Sequence, residues 1–237
     1  MRAQDHDRVR LLILMTTLLM TGCAVTVDRG LPVATLHERR AEKMFEAGRI
    51  AEAMALFQQA AQATPRPFLA SIGIARCAIR LGERELVATA FRVAYGSAPS
   101  TPEAKDLLGR THLEAAKVAT GALRMQHATT ASSMFSSASR VAPGLPSLAY
   151  HAGMSELLAG RSVSAITFLE IALSEDPQST DTLHALVLAL RKLGQRDRVL
   201  ALLATYERDG LLTPALIKEL QWARTSGEAG RGEGRRL

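Results

Sequence analysis

The chain has 237 residues, only 4% of them aromatic, and a formal charge of +6. Its abundance of Ala and Leu favours stacked helices over a sheet-based core. Two cysteines, Cys23 and Cys77, are too few for a disulfide framework. At the N-terminus, Arg2, Arg8 and Arg10 make a weakly basic start, and an apolar run follows from Leu11 to Met20, broken only by Thr16 and Thr17. A bilayer-spanning helix needs about 20 apolar residues, and Asp28-Arg29 arrive too soon for that. The segment reads as an export signal and not as a permanent span.

The residues Leu19-Met20-Thr21-Gly22-Cys23 resemble the lipobox of bacterial lipoproteins, in which small residues precede a cysteine that is lipidated and then becomes the N-terminus. The resemblance implies a signal peptide over residues 1–22, lipid on Cys23 and a tether over residues 23–35. Each buried acyl methylene contributes about 0.8 kcal/mol, so several chains anchor stably. Ala24, where an Asp would retain the protein at the inner membrane, implies the periplasmic face of the outer membrane. Removal of residues 1–22 takes away three Arg and two Asp, lowering the charge from +6 to +5. An exported protein seldom meets nucleic acid, so anionic lipid head groups or an acidic protein are the expected counterparts.

From there a repeat governs the chain. Gly48, Ala53, Phe57, Ala60 and Pro65 recur as Gly82, Val87, Phe91, Ala94 and Pro99, every pair 34 residues apart. The same interval carries Ala131, Phe135, Ala138 and Pro143 onto Ala165, Leu169, Ala172 and Pro177, and Gly160 onto Gly194. A period of this length marks a solenoid of helical pairs. Gly takes the left-handed conformation that ends a first helix, and small residues let helices approach while Phe or Leu fills the space between them. Pro stops the second helix.

This pattern resembles the tetratricopeptide repeat (TPR) and implies an all-α solenoid of about five helix-turn-helix units over residues 36–225, closed by a capping helix. In the first helices Ala41, Ala75, Ala119 and Gly153 are assigned to one small position, from which Val187 departs in the last unit. Met44, Ala78, Ala122 and Glu156 stand where the family usually has an aromatic residue. The third unit is longer, since Phe91 and Phe135 are 44 residues apart. Pro102-Glu103-Ala104 opens like a helix, so the ten extra residues are assigned to a first helix lengthened to about Pro102–Arg124, with its partner over Ala128–Arg140. Thr213-Pro214 begins the capping helix, which includes Trp222. Residues 226–237 are rich in Gly and charge and are expected to form a disordered basic tail.

No His-Glu-x-x-His, Cys-x-x-Cys or Gly-x-Ser-x-Gly pattern is present, so no catalytic residue, metal site or cofactor is expected. Cys77 reads as a buried apolar thiol. In tetratricopeptide arrays the first helices line a concave groove, and the family's offsets imply Leu69, Ile72, Arg76, Ile79 and Arg80 in the second unit, and Leu123 and Arg124 in the third. The fourth unit adds Tyr150, Met154, Leu157 and Leu158, the fifth His184, Leu188, Arg191 and Lys192, and the first Glu38, Glu42, Phe45 and Glu46. The expected groove is apolar in its middle and basic on its flanks. The lipobox-plus-repeats plan resembles the tetratricopeptide lipoproteins of tight-adherence and type IV pilus systems. It implies a non-catalytic scaffold for envelope proteins in pilus assembly or secretion, with an adaptor for cell-wall enzymes or outer-membrane biogenesis as the alternative.

Overall fold

The structure, a computed structural model, describes residues 33–232 except Gly144 and Pro146, with side chains to residue 225. The signal peptide, Cys23 and most of the tether lie outside the described residues. The described part is helical, in the order α1 (Val33–Glu46), α2 (Ile50–Gln62), α3 (Phe68–Leu81), α4 (Arg84–Ser97), α5 (Pro102–Val118), α6 (Gly121–Val141), α7 (Leu148–Leu158), α8 (Ser162–Glu175), α9 (Thr180–Lys192), α10 (Arg196–Arg208) and α11 (Pro214–Gly232). The first ten form five antiparallel pairs, and α11 packs on the last of them as the cap.

The turn inside a pair is built the same way four times. Gly82, at φ +77°, donates its N–H to Ile79 O, while Glu83 N donates to Ala78 O at 2.9 Å. Gly48, Gly160 and Gly194 repeat this with Met44, Glu156 and Leu190 as the distal acceptors. These are Schellman closures, which satisfy the last carbonyls of a helix and require a left-handed residue. Gly210 forms a fifth between α10 and the cap. Side-chain caps open three helices: Thr101 Oγ1 accepts from Ala104 N, Ser179 Oγ from Thr182 N and Thr213 Oγ1 from Leu216 N.

The third pair departs from the expectation. Its first helix ends at Val118, not near Arg124, and its second begins at Gly121, so the extra residues lengthen both helices at the turn end. The reason is the missing hinge glycine. Gly160 stands seven residues after Gly153 and nine before Leu169; the matching positions after Gly109 and before Phe135 are Ala116 and Gln126. With no residue suited to a left-handed stop, α5 runs on until Ala119 and Thr120 turn extended, and Gly121 at φ +57° restarts the chain as α6. The small packing position in this unit is therefore Gly109, and Ala119 lies in the turn. A Cβ on Gly109 would sit 2.8 Å from the Phe135 ring, as one on Gly153 would sit 2.6 Å from Leu169.

Two boundaries also move. The first helix starts at Val33, inside the expected tether, and α11 stays helical to Gly232, beyond the expected start of the tail at Ser226. No helix among the described residues is long and apolar enough to cross a membrane.

Candidate functional site: the concave wall

The first helices α1, α3, α5, α7 and α9 lie side by side, each approaching the next, and α11 continues the row. This is the continuous wall that the repeat implies. Toward its N-terminal end Leu69, Ile72 and Arg76 of α3 meet Glu38 and Glu42 of α1 and Leu107 of α5 around a depression of about 390 Å³. Leu69 is exposed, whereas Ile72 and Ile79 are buried and belong to the core.

The arginines expected to wait for a partner are already engaged. Arg76 Nη1 donates to Glu42 Oε1 at 2.7 Å, and its Nε lies 3.9 Å from Glu114 Oε2, so one guanidinium ties α1 to α5 across α3. It also lies 4.3 Å from the Phe45 ring centroid, with Arg80 at 5.9 Å from the same ring. At the other end Arg191 Nη1 donates to Glu219 Oε1 at 2.9 Å and sits 4.8 Å from the Trp222 ring, fastening the cap to α9. Lys192 Nζ donates to Leu157 O at 3.4 Å. The flanks are thus paired and not simply basic.

Leu123 and Arg124 are not on this wall. Both sit on α6, a second helix, where Arg124 Nε donates to Ala119 O at 2.8 Å and closes the irregular turn. The wall positions of the third unit are held instead by α5, including Asp106, Arg110 and Glu114, which the displaced register concealed. Arg110 bonds Asp106. Asp106 Oδ1 and His151 Nδ1 are buried without a partner among the described side chains. Burial holds His151 below its ordinary pKa; Arg110 and Lys117 push the same way, and Asp106 opposes them. The middle of the wall therefore carries carboxylates paired with arginines, where an apolar middle was expected.

Tyr150, Met154 and Leu158 of α7 and His184 and Leu188 of α9 are half-buried on adjacent first helices, so they do come together. Behind them the buried Glu156 accepts from Arg161 Nε at 2.6 Å and from Ser132 Oγ at 2.5 Å, joining the third and fourth pairs. Cys77 is fully buried, and burial pushes its thiol up to about 11, Glu42 adding to this and Arg76 opposing it. A thiolate nucleophile is not available there.

A tetratricopeptide repeat family model matches residues 44–111. No curated protein matches the chain in sequence. Among solved structures, a tetratricopeptide repeat protein from Parabacteroides merdae ATCC 43184 is similar with a TM-score of 0.60 at 15% identity, over 95% of this chain and 84% of that one. MamA of AMB-1 gives 0.57 at 17% identity, over 73% and 98%. A thermophilic tetratricopeptide repeat protein of Thermus thermophilus gives 0.55 at 20% identity, over 80% and 98%. Five helix pairs, four of them hinged at a left-handed glycine, a continuous row of first helices and these likenesses make the fold a tetratricopeptide-type helical solenoid with a C-terminal capping helix.

Proposed function

We propose that this chain is a membrane-anchored, non-catalytic scaffold that binds other envelope proteins along its concave wall and assists assembly of an envelope machine, a pilus or secretion apparatus foremost. The observation that carries the reading is the wall itself, where Leu69 is exposed and Tyr150, Met154, Leu158 and Leu188 on neighbouring first helices are only half-buried. Such surface on a repeat array suits an extended or helical segment. The cross-wall pairs of Arg76 and Arg191 hold the helices in register, so the binding surface is preorganised.

Tyr150→Ala with Met154→Ala is expected to weaken binding of a partner captured from solubilised membranes by at least about tenfold, or about 1.4 kcal/mol, with helical content unchanged. Deleting residues 226–237 is expected to change it little in moderate salt, where surface charge is screened. Loss of binding on tail deletion, with the wall variant unaffected, would make the solenoid a spacer.

The anchoring rests on the lipobox-like residues ending at Cys23 and on the outer-membrane reading of Ala24. Wild type is expected to incorporate radiolabelled fatty acid, and Cys23→Ser is not. Equal labelling of the two proteins would remove the lipid anchor from this reading.

A further inference from the structure

One junction between successive pairs is open. The second helix of a pair packs closely on the first helix of the next at α2–α3, α6–α7 and α8–α9, but no Cα of α4 lies within 8 Å of a Cα of α5. The gap is spanned by rings: Phe91 of α4 stacks on His112 of α5 with centroids 3.8 Å apart and planes 7° apart. Between α4 and the lengthened α5–α6 turn this leaves a cavity of about 580 Å³. That volume falls in the range of small-molecule sites, about 300–1,000 Å³.

The lining has a definite chemistry. Ala, Val, Ile and Leu side chains, Val87, Val118 and Leu123 among them, make about half of the lining, and Phe91 adds an apolar ring. Arg84 and Arg92 stand on it with two histidines, and no carboxylate lines it. Among the described residues neither arginine is ion-paired. A hydrogen-bonded relay crosses the wall: Tyr95 Oη to His112 Nε2 at 2.7 Å, then His112 Nδ1 to His127 Nδ1 at 2.9 Å.

With neutral rings this relay always leaves one donor over. If the Tyr95 hydroxyl donates to His112, then His112 Nδ1–H donates to His127 and the His127 Nε2–H is unspent. In the reverse direction His127 Nδ1–H donates to His112, His112 Nε2–H donates to Tyr95, and the phenolic O–H is unspent. Both end residues line the cavity.

We propose that the cavity between α4 and the α5–α6 turn is a binding site for a small amphipathic carboxylate, its apolar body among Val87, Val118 and Leu123 and its anionic head within reach of Arg84, Arg92 and the open end of the Tyr95–His112–His127 relay. The anion supplies the negative charge that the wall lacks and accepts the leftover hydrogen bond. Occupancy braces the one junction whose backbones stand apart, which separates this site from the concave wall on the first helices.

The test is calorimetric titration of the purified full-length chain with decanoate, decanol and decylammonium. Saturable one-site binding of decanoate, at least tenfold tighter than either analogue, is expected. Ala88→Trp, at an exposed position on the lining, fills the cavity and is expected to weaken decanoate binding at least tenfold. Arg84→Gln with Arg92→Gln is expected to do the same while leaving the far-ultraviolet spectrum unchanged. Should Ala88→Trp lose helicity, Thr130→Trp blocks from the opposite wall. No saturable binding, equal binding of the alcohol, or undiminished binding in the folded blocked variant overturns the proposal.

Discussion

Phe135→Ala is expected to lower the unfolding free energy by about 3–5 kcal/mol, the usual cost of truncating a fully enclosed ring. The Phe135 side chain is 0% exposed and sits in the central cluster with Leu113, Ala131, Ala138, Leu148 and Ala152. Gly109 packs so closely on the ring that a Cβ there would sit 2.8 Å from it, and the His151 ring lies 5.3 Å away on a stacked plane. These neighbours belong to three helices held by their own hydrogen bonds, so they close little of the space left behind. Phe91→Ala makes the contrast. Repeat position equates the two residues, but Phe91 borders the α4–α5 cavity, so its truncation enlarges an existing opening and is expected to cost less. Urea unfolding of both variants measures the difference. A loss below about 1 kcal/mol for Phe135→Ala, or a larger loss for Phe91→Ala, would show that the third pair is packed differently.

Acidification from pH 7 to pH 5 is expected to cost about 2 kcal/mol through His112 alone. Burial, helped by the neighbouring His127, pushes His112 from its ordinary 6.5 down to about 3. Burial lowers His127 as well. Once unfolded, these imidazoles take up protons below about pH 6.5, whereas the folded protein keeps His112 neutral until about pH 3. The unfolded state then binds more protons, so stability is full above the unfolded value and falls as pH drops toward the folded one.

Glu38 and Glu114, raised by burial, act in the opposite direction near the carboxylate range. For Glu156 burial works upward, but the hydrogen bonds from Arg161 and Ser132 and the Arg161 charge outweigh it and hold its carboxyl low. Its contribution is lost only in stronger acid. His112→Phe keeps a ring against Phe91 and is expected to remove at least half of the loss between pH 7 and pH 5, read from urea midpoints at the two pH values. An unchanged pH dependence in that variant would mean that His112 is not held neutral by the fold.

What was legible in the sequence follows from how local the cause is. Gly48, Gly82, Gly160 and Gly194 end their helices by a conformational requirement that each carries alone, so spacing was enough to read four of the five turns. Thr213 opens the capping helix for an equally local reason. The third unit shows the limit: its ten extra residues could be counted, but without a glycine no single residue dictates where α5 stops. Packing decides it. Gly109 is the position that lets α5 close on Phe135, and once that contact sets the register, Ala119 falls in the turn and Leu123 and Arg124 pass to α6.

The pairing of the wall's charges is hidden from the sequence for a related reason. Arg76 meets Glu42 and Glu114, 34 and 38 residues away along the chain, and Arg191 meets Glu219 on the cap. Period and composition reveal which residues recur, but a pair between successive units exists only when the helices stand side by side. The α4–α5 cavity is the extreme case, since it is made by two backbones that fail to approach and by a Tyr-His-His relay drawn from three helices. The sequence by itself determined the helical solenoid, its five pairs and its cap, because hinge, spacer and cap residues act through their own backbone preferences. Only the tertiary structure decided the third turn, the pairing of the wall and the cavity, because each depends on distances between residues that the chain does not bring together until it folds.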